Sequence, residues 1–359
     1  MSSSNERKYS FFNDYSENAH PRILEQLTSL NHEQYDGYGT DSVSAKGQDL
    51  IRGAIQNPDA DVHFISGGTQ ANLIVLSALL KPYESVIAAT SGHINIHEAG
   101  AIEATGHRIN AIESSTGKIT ADQVQTVVDF HTDEHMVKPR VVFISNSTEV
   151  GTIYSRKELE ELSAVCRKHN LYLYLDGARL GSGLCSRESD LTLPTLSRLV
   201  DVFYIGGTKN GALFGEAVVI NNTTVQTDFR FYLKQRGALL AKGWVLAAQF
   251  VSLFSDTLYF DLARHANRMA EKLVEGMAAL GFPFLTRSTT NQIFPILPHE
   301  VIAQLEMLYG FYIWAKIDAH HSAIRLVTSW ATPEEKIDEF LGDLAQIQKT
   351  VSAGISTQP

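Results

Sequence analysis

A lysine set among residues with almost no side chain is the first candidate for chemistry. In Gly206-Gly207-Thr208-Lys209-Asn210-Gly211 it follows one strand-like run, and a second begins at Ala217. A lysine partly removed from water has a depressed pKa, so its amine can act as a nucleophile and form a Schiff base. A solvent-facing hairpin lysine fits the same local pattern. Asp176 ends another apolar run, LYLYL at 171–175, and Arg179 follows three residues later. A carboxylate there must be paired, hydrogen-bonded or functional, because desolvation makes a bare one costly. Helix capping with a local arginine partner is the plainer alternative. In ISGGTQANL at 65–73, Gly67 and Gly68 let backbone amides approach an anion, and Thr69 adds a hydroxyl where a helix begins. Helix N-termini suit a phosphate, although an ordinary strand–helix turn reads alike. Arg325 lies inside AIRLVTSW, where its charge needs an anion unless the strand is an exposed edge.

These pieces interlock. A phosphate cradle, a carboxylate able to keep a pyridine nitrogen protonated and a Schiff-base lysine are the three requirements of pyridoxal 5′-phosphate. They occur in that order, each at the end of a strand-like run. Rival motifs fail. Gly181-Ser182-Gly183 has Ser186 where a dinucleotide fingerprint needs its third glycine, and Gly117-Lys118 has no glycine five residues earlier. His93 and His97 share a helix face beside Glu98, but without zincin spacing no metal site is expected.

The elements that must position these residues alternate along the chain. Seven strand-like runs start at Val62, Ser85, His107, Arg140, Leu171, Asp201 and Ala217. Most are nearly continuous apolar runs, as expected of strands covered on both faces. Between them lie helical patterns, with Thr69 as a cap and capping boxes at Thr120/Gln123 and Ser155/Glu158. The pattern predicts a mostly parallel sheet with helices on both faces. The last two runs are joined by about ten glycine-rich residues, too few for a parallel crossover. The final strand is therefore expected to be antiparallel, which puts Lys209 at the carboxyl edge where open α/β sheets bind ligands.

From about residue 255 a long amphipathic helix, three further strand-like runs and a closing helix at Thr332-Pro333 suggest a smaller α/β domain. The expected division is an N-terminal segment, 1–40, packing across both units, a large domain, 41–254, and a small domain, 255–359. A net charge of −10 argues against a nucleic-acid surface. With two cysteines, an N-terminus without an apolar core and no apolar run approaching a membrane span, the reading is a cytoplasmic protein with no membrane partner.

The motifs FFNDYSENAHP, YGTD, SGGTQAN, HINIHEAGA, LDGARLGSG, GGTKNGALFGE and IRLVTSW span most of the chain. Together they resemble the low-specificity threonine aldolase (β-eliminating lyase) family of fold-type-I pyridoxal phosphate enzymes. The resemblance implies a transferase-like α/β fold and aldol cleavage of L-threonine or L-allo-threonine to glycine and acetaldehyde. β-Elimination, racemisation or transamination on the same fold is the alternative. By resemblance Lys209 carries the cofactor, Asp176 pairs with its ring nitrogen, His93 stacks on the ring, and Gly68 and Thr69 hold the phosphate. Arg179 and Arg325 grip the substrate carboxylate. A homodimer or homotetramer with sites at the subunit interface follows too, with Tyr38 a candidate to reach a neighbour's site. Three departures stand out. Asn13 replaces a serine that contacts the substrate carboxylate, and Lys242 is a candidate phosphate partner in place of an arginine. Ser145-Asn146-Ser147-Thr148 replaces a Glu-Asn-Thr-His run, which leaves the base for the aldol step unassigned.

Overall fold

The computed structural model describes residues 8–355. The first residues of the expected 1–40 segment and the last of the 255–359 segment lie outside the described residues.

All seven expected strands form, and they build one sheet: β1 (Asp61–Ile65), β2 (Glu84–Ala89), β3 (Ile109–Ile112), β4 (Lys138–Ser145), β5 (Tyr172–Asp176), β6 (Val202–Gly206) and β7 (Glu216–Ile220). Their spatial order is β1-β7-β6-β5-β4-β2-β3. β7 runs antiparallel to both neighbours, while the other pairings are parallel. The glycine-rich return thus does what its length requires: it turns the chain straight back and inserts β7 between β1 and β6. Buried apolar residues cover both sheet faces, with Ile87, Leu173 and Phe203 on one and Val86, Tyr174 and Tyr204 on the other.

Both capping boxes form, at the starts of α3 (Ala121–Phe130) and α4 (Arg156–Lys168). Two other caps differ from expectation. Helix α2 (Gly68–Leu79), which follows α1 (Ser42–Ile55), is preceded by Gly67 with no side-chain cap, so Thr69 lies inside the first turn. At the closing helix, Glu334–Ile355, the Thr332 hydroxyl accepts from Ser329 N at 2.8 Å. That bond points Thr332 back into the preceding turn, and the helix starts later.

Past the sheet, a 22-residue helix, Leu258–Ala279, packs Tyr259 and Leu262 into the large core. Its later residues Met269, Leu273 and Met277 pack into a C-terminal cluster with Leu326 and Phe340. The N-terminal residues cross between the same two cores. Tyr9–Ser10 pairs with Tyr309–Gly310, whereas Asp14 reaches Arg179 at the end of β5.

Candidate active site

The carboxyl ends of β5 and β6 are held unusually close. A Cβ added to Gly177 would lie 1.8 Å from the Tyr204 carbonyl oxygen, and one on Gly206 would lie 2.5 Å from that of Ala178. Gly206 N donates to Gly177 O at 3.0 Å in the space this leaves. These glycines set Asp176 and Lys209 at one edge. Because the obstacle at Gly177 is backbone, Gly177→Ala is expected to cost about 3 kcal/mol or more of unfolding free energy. Denaturant midpoints of the two proteins measure that loss.

The Lys209 turn is fixed from both sides. Gly207 N and Thr208 N donate to Gly215 O, Gly215 N donates to Thr208 Oγ1, and Asn210 Nδ2 donates to Tyr259 O at 2.7 Å. Lys209 itself makes no hydrogen bond among the described residues. Burial pushes its amine below the usual lysine range, and the charge of Arg179 adds to this, against Asp14, Asp176 and Glu216. Glu216 opens β7 at the same edge. Its Oε1 accepts from Thr208 Oγ1 at 3.1 Å, and its buried Oε2 has no partner. Burial raises the Glu216 carboxyl to about 8, opposed by the charge of Lys209.

Asp176 is buried but well supplied with donors: Ala178 N at 2.9 Å, Asn72 Nδ2 at 3.1 Å and the Tyr204 hydroxyl. Asn72 Nδ2 also donates to Glu98 Oε1 at 2.7 Å, and that oxygen accepts from His93 Nδ1 at 2.8 Å. This bond fixes the ring of His93. The role of Glu98, unexplained by sequence, is thus to orient His93. The amide of Asn72, one turn beyond Gly68, ties that histidine to Asp176.

Gly68, Thr69, His93, Asp176, Arg179, Lys209 and Arg325 all line one cavity of about 690 Å³. At its mouth Arg325 lies 5.0 Å from the Tyr312 ring centroid and 5.2 Å from that of Trp314. It donates through Nη2 to Phe12 O, while its buried Nε is unpartnered. Arg179 is engaged differently from expectation. Its Nε and Nη2 fork the carboxylate of buried Asp14 at 2.7 and 3.0 Å, leaving one edge of the guanidinium toward the cavity.

Asn13, Tyr38 and Lys242 are not among the residues that line it. Asn13 Oδ1 accepts from Tyr15 N and Ser16 Oγ, a turn that brings Tyr15 to the cavity wall. Tyr38 has a left-handed backbone with φ 62° and stacks under Lys234 in an open hollow beside Phe231. Lys242 is exposed just before the helix Trp244–Phe254. Thr148 is also outside the cavity: it is fully buried and bonds Thr152 at 2.7 Å. Its neighbour Glu149 lines the wall instead.

The lining fits pyridoxal phosphate. The start of α2 has no side-chain cap and Thr69 makes no side-chain hydrogen bond among the described residues, so first-turn N–H groups and a hydroxyl stand ready for a phosphate. Asp176 is held for a ring nitrogen and Lys209 is poised as an amine. Comparison with known proteins agrees. Residues 18–299 match the family model "Beta-eliminating lyase". The low specificity L-threonine aldolase of Pseudomonas aeruginosa is 32% identical over 90% of this chain and 93% of its own. A solved structure of Leishmania major threonine aldolase is 48% identical, covers 94% of this chain and 99% of its own, and superposes with a TM-score of 0.93. Aspartate aminotransferase of Thermus thermophilus, at 14% identity over 95% of this chain and 91% of its own, shares the fold with a TM-score of 0.70. The chain belongs to the beta-eliminating lyase family and is a pyridoxal 5′-phosphate enzyme of fold type I.

Proposed function

We propose that the protein cleaves the Cα–Cβ bond of β-hydroxy-α-amino acids, converting L-threonine or L-allo-threonine to glycine and acetaldehyde. The observation that carries this reading is the meeting of Lys209, Asp176 and Arg325 in a single cavity. The names of the Pseudomonas and Leishmania relatives support the choice of reaction.

Bound pyridoxal phosphate supplies an electron sink for the pair left on Cα. The remaining work falls to the chain. Lys209, whose amine is pushed below the usual lysine range by burial, would hold the cofactor through that amine. Asp176, with donors on both oxygens, would hold a proton at the ring nitrogen. His93, locked by Glu98, presents a flat face to the ring, and the α2 N-terminus with Gly68 and Thr69 holds the phosphate. Arg325 grips the substrate carboxylate, with Tyr312 and Trp314 confining its guanidinium, and Arg179 adds its free edge. Together these contacts set which bond to Cα stands perpendicular to the ring, and so which one breaks.

We also propose a cytoplasmic homodimer or homotetramer with sites at the subunit interface. The exposed Tyr38 and Phe231 and the exposed Lys242 support this assignment, with Tyr38 and Lys242 serving a neighbouring copy's site. The test of function is incubation of the cofactor-loaded protein with each threonine isomer. Equal amounts of glycine and acetaldehyde are expected. A keto acid from another amino acid, with no aldehyde from either isomer, would overturn the reading.

A further inference from the structure

The aldol step needs a group that takes the proton from the substrate's β-hydroxyl, and Thr148 is buried away from the cavity. Three carboxylates line the cavity wall: Glu149, Asp176 and Glu216. Asp176 has its oxygens occupied by Ala178, Asn72 and Tyr204. Glu216 is bonded to Thr208 through Oε1, and its other oxygen, though unpartnered, is buried, whereas Glu149 is partly exposed. Glu149 is different. Its Oε1 accepts from Ser145 Oγ at 2.8 Å and from His93 N at 3.0 Å, and its carboxylate also takes a hydrogen bond from its own backbone N–H. Its Oε2 has no partner from another residue among the described residues. The bonds from Ser145 and His93 aim the side chain and leave one oxygen for an incoming hydroxyl.

We infer that Glu149 is the general base of the aldol step, accepting the β-hydroxyl proton on Oε2 while Oε1 stays anchored to His93 and Ser145. The inference rests on the proposed cleavage reaction. As the Cα–Cβ bond breaks, its electron pair remains with Cα and the Cβ–O bond becomes the aldehyde carbonyl. The hydroxyl proton passes to Glu149, which returns it to water, and Cα takes one proton from water to give glycine. No oxidant or reductant is needed.

The surroundings suit the task. Burial raises the Glu149 carboxyl above the usual range, and the negative charge of Asp176 adds to this, against its hydrogen bond from Ser145 and the charge of His93. Arg179 faces it as well. A base whose pKa lies nearer the working pH transfers protons more efficiently than an ordinary carboxylate. His97, also on this wall, is pushed below the usual histidine range by burial and by the charges of His93, Arg325 and Lys209.

Glu149→Gln retains the Oε1 acceptor for Ser145 and His93 while removing the basic oxygen. In the holoenzyme, kcat for threonine cleavage is expected to fall by about 10²- to 10⁴-fold, with loss of the ascending acid limb of the pH profile. Glycine has no hydroxyl to deprotonate. Its Kd from the visible spectrum and its α-proton exchange in deuterated water should therefore stay within about threefold of the parent. Cleavage by E149Q within about threefold of the parent, with the limb intact, would overturn the assignment. So would glycine binding and exchange falling as far as cleavage does, which would mark Glu149 as structural. Failure of the parent protein to cleave threonine would instead overturn the proposed reaction.

Discussion

Lys209→Ala leaves a folded protein that no longer retains pyridoxal phosphate through dialysis and cannot be labelled by borohydride. Turnover drops by at least about 10³-fold, because the variant loses its covalent hold on the cofactor and the amine that exchanges with substrate. The fold should survive. The ammonium makes no hydrogen bond among the described residues, and burial already disfavours its charge. The charge of Lys209 also lowers the pKa of Glu216, so its removal leaves that carboxyl more firmly neutral rather than unpaired. The surrounding turn is held by Gly215, Thr208 and Asn210, none of which depends on the lysine side chain. The check is a borohydride-reduced peptide map with circular dichroism alongside. A visible, reducible band persisting in the variant would assign the Schiff base to another lysine.

What could be read from the sequence was whatever neighbours in the chain decide. Continuous apolar runs mark the buried strands, and the short return to Ala217 forces β7 to run antiparallel. Capping boxes at Thr120 and Ser155 are closed within three residues, so the sequence contains both halves of each. The order SGGT, Asp176, Lys209 is legible because each lies at a strand's end, and parallel strands bring those ends to one edge. Pairing across long separations is not legible. Asn72 joins Glu98 to Asp176 across 26 and 104 residues, and an asparagine in SGGTQAN carries no sign of that. The cap at α2 was misread because Thr69 has the right side chain for it, whereas the structure leaves that helix end uncapped at Gly67. Arg179 is expected by resemblance at the substrate carboxylate, with Asp176 as its plainer local partner, yet the carboxylate it forks lies 165 residues away in FFNDY.

That distant partner carries the second large expectation. Asp14 is 1% exposed and accepts from Arg179 Nε, Arg179 Nη2 and Asn291 Nδ2. Asp14→Ala strands a buried guanidinium and a buried amide together. The expected cost is about 3–5 kcal/mol of unfolding free energy, the range for breaking a buried ion pair from one side. Asp14→Asn should cost less, since one acceptor oxygen remains, and comparing urea midpoints of the two variants separates lost charge from lost hydrogen bonds. The pH dependence has a definite sign. Burial alone would raise the Asp14 carboxyl, but the charges of Arg179 and Lys209 and the bonds from Arg179 and Asn291 outweigh it and hold the group below its ordinary value. A carboxylate depressed on folding contributes its full stability above the unfolded pKa of about 3.9 and loses it as pH falls through the folded value. The parent should therefore lose stability more steeply below about pH 4 than Asp14→Ala, and the gap between their midpoints should narrow in acid. The same pair has a consequence for recognition. With two nitrogens of Arg179 spent on Asp14, the main grip on a substrate carboxylate falls to Arg325, whose buried Nε is still unpartnered. The N-terminal segment therefore shapes the site by occupying two nitrogens of Arg179 through Asp14 and one of Arg325 through Phe12 O.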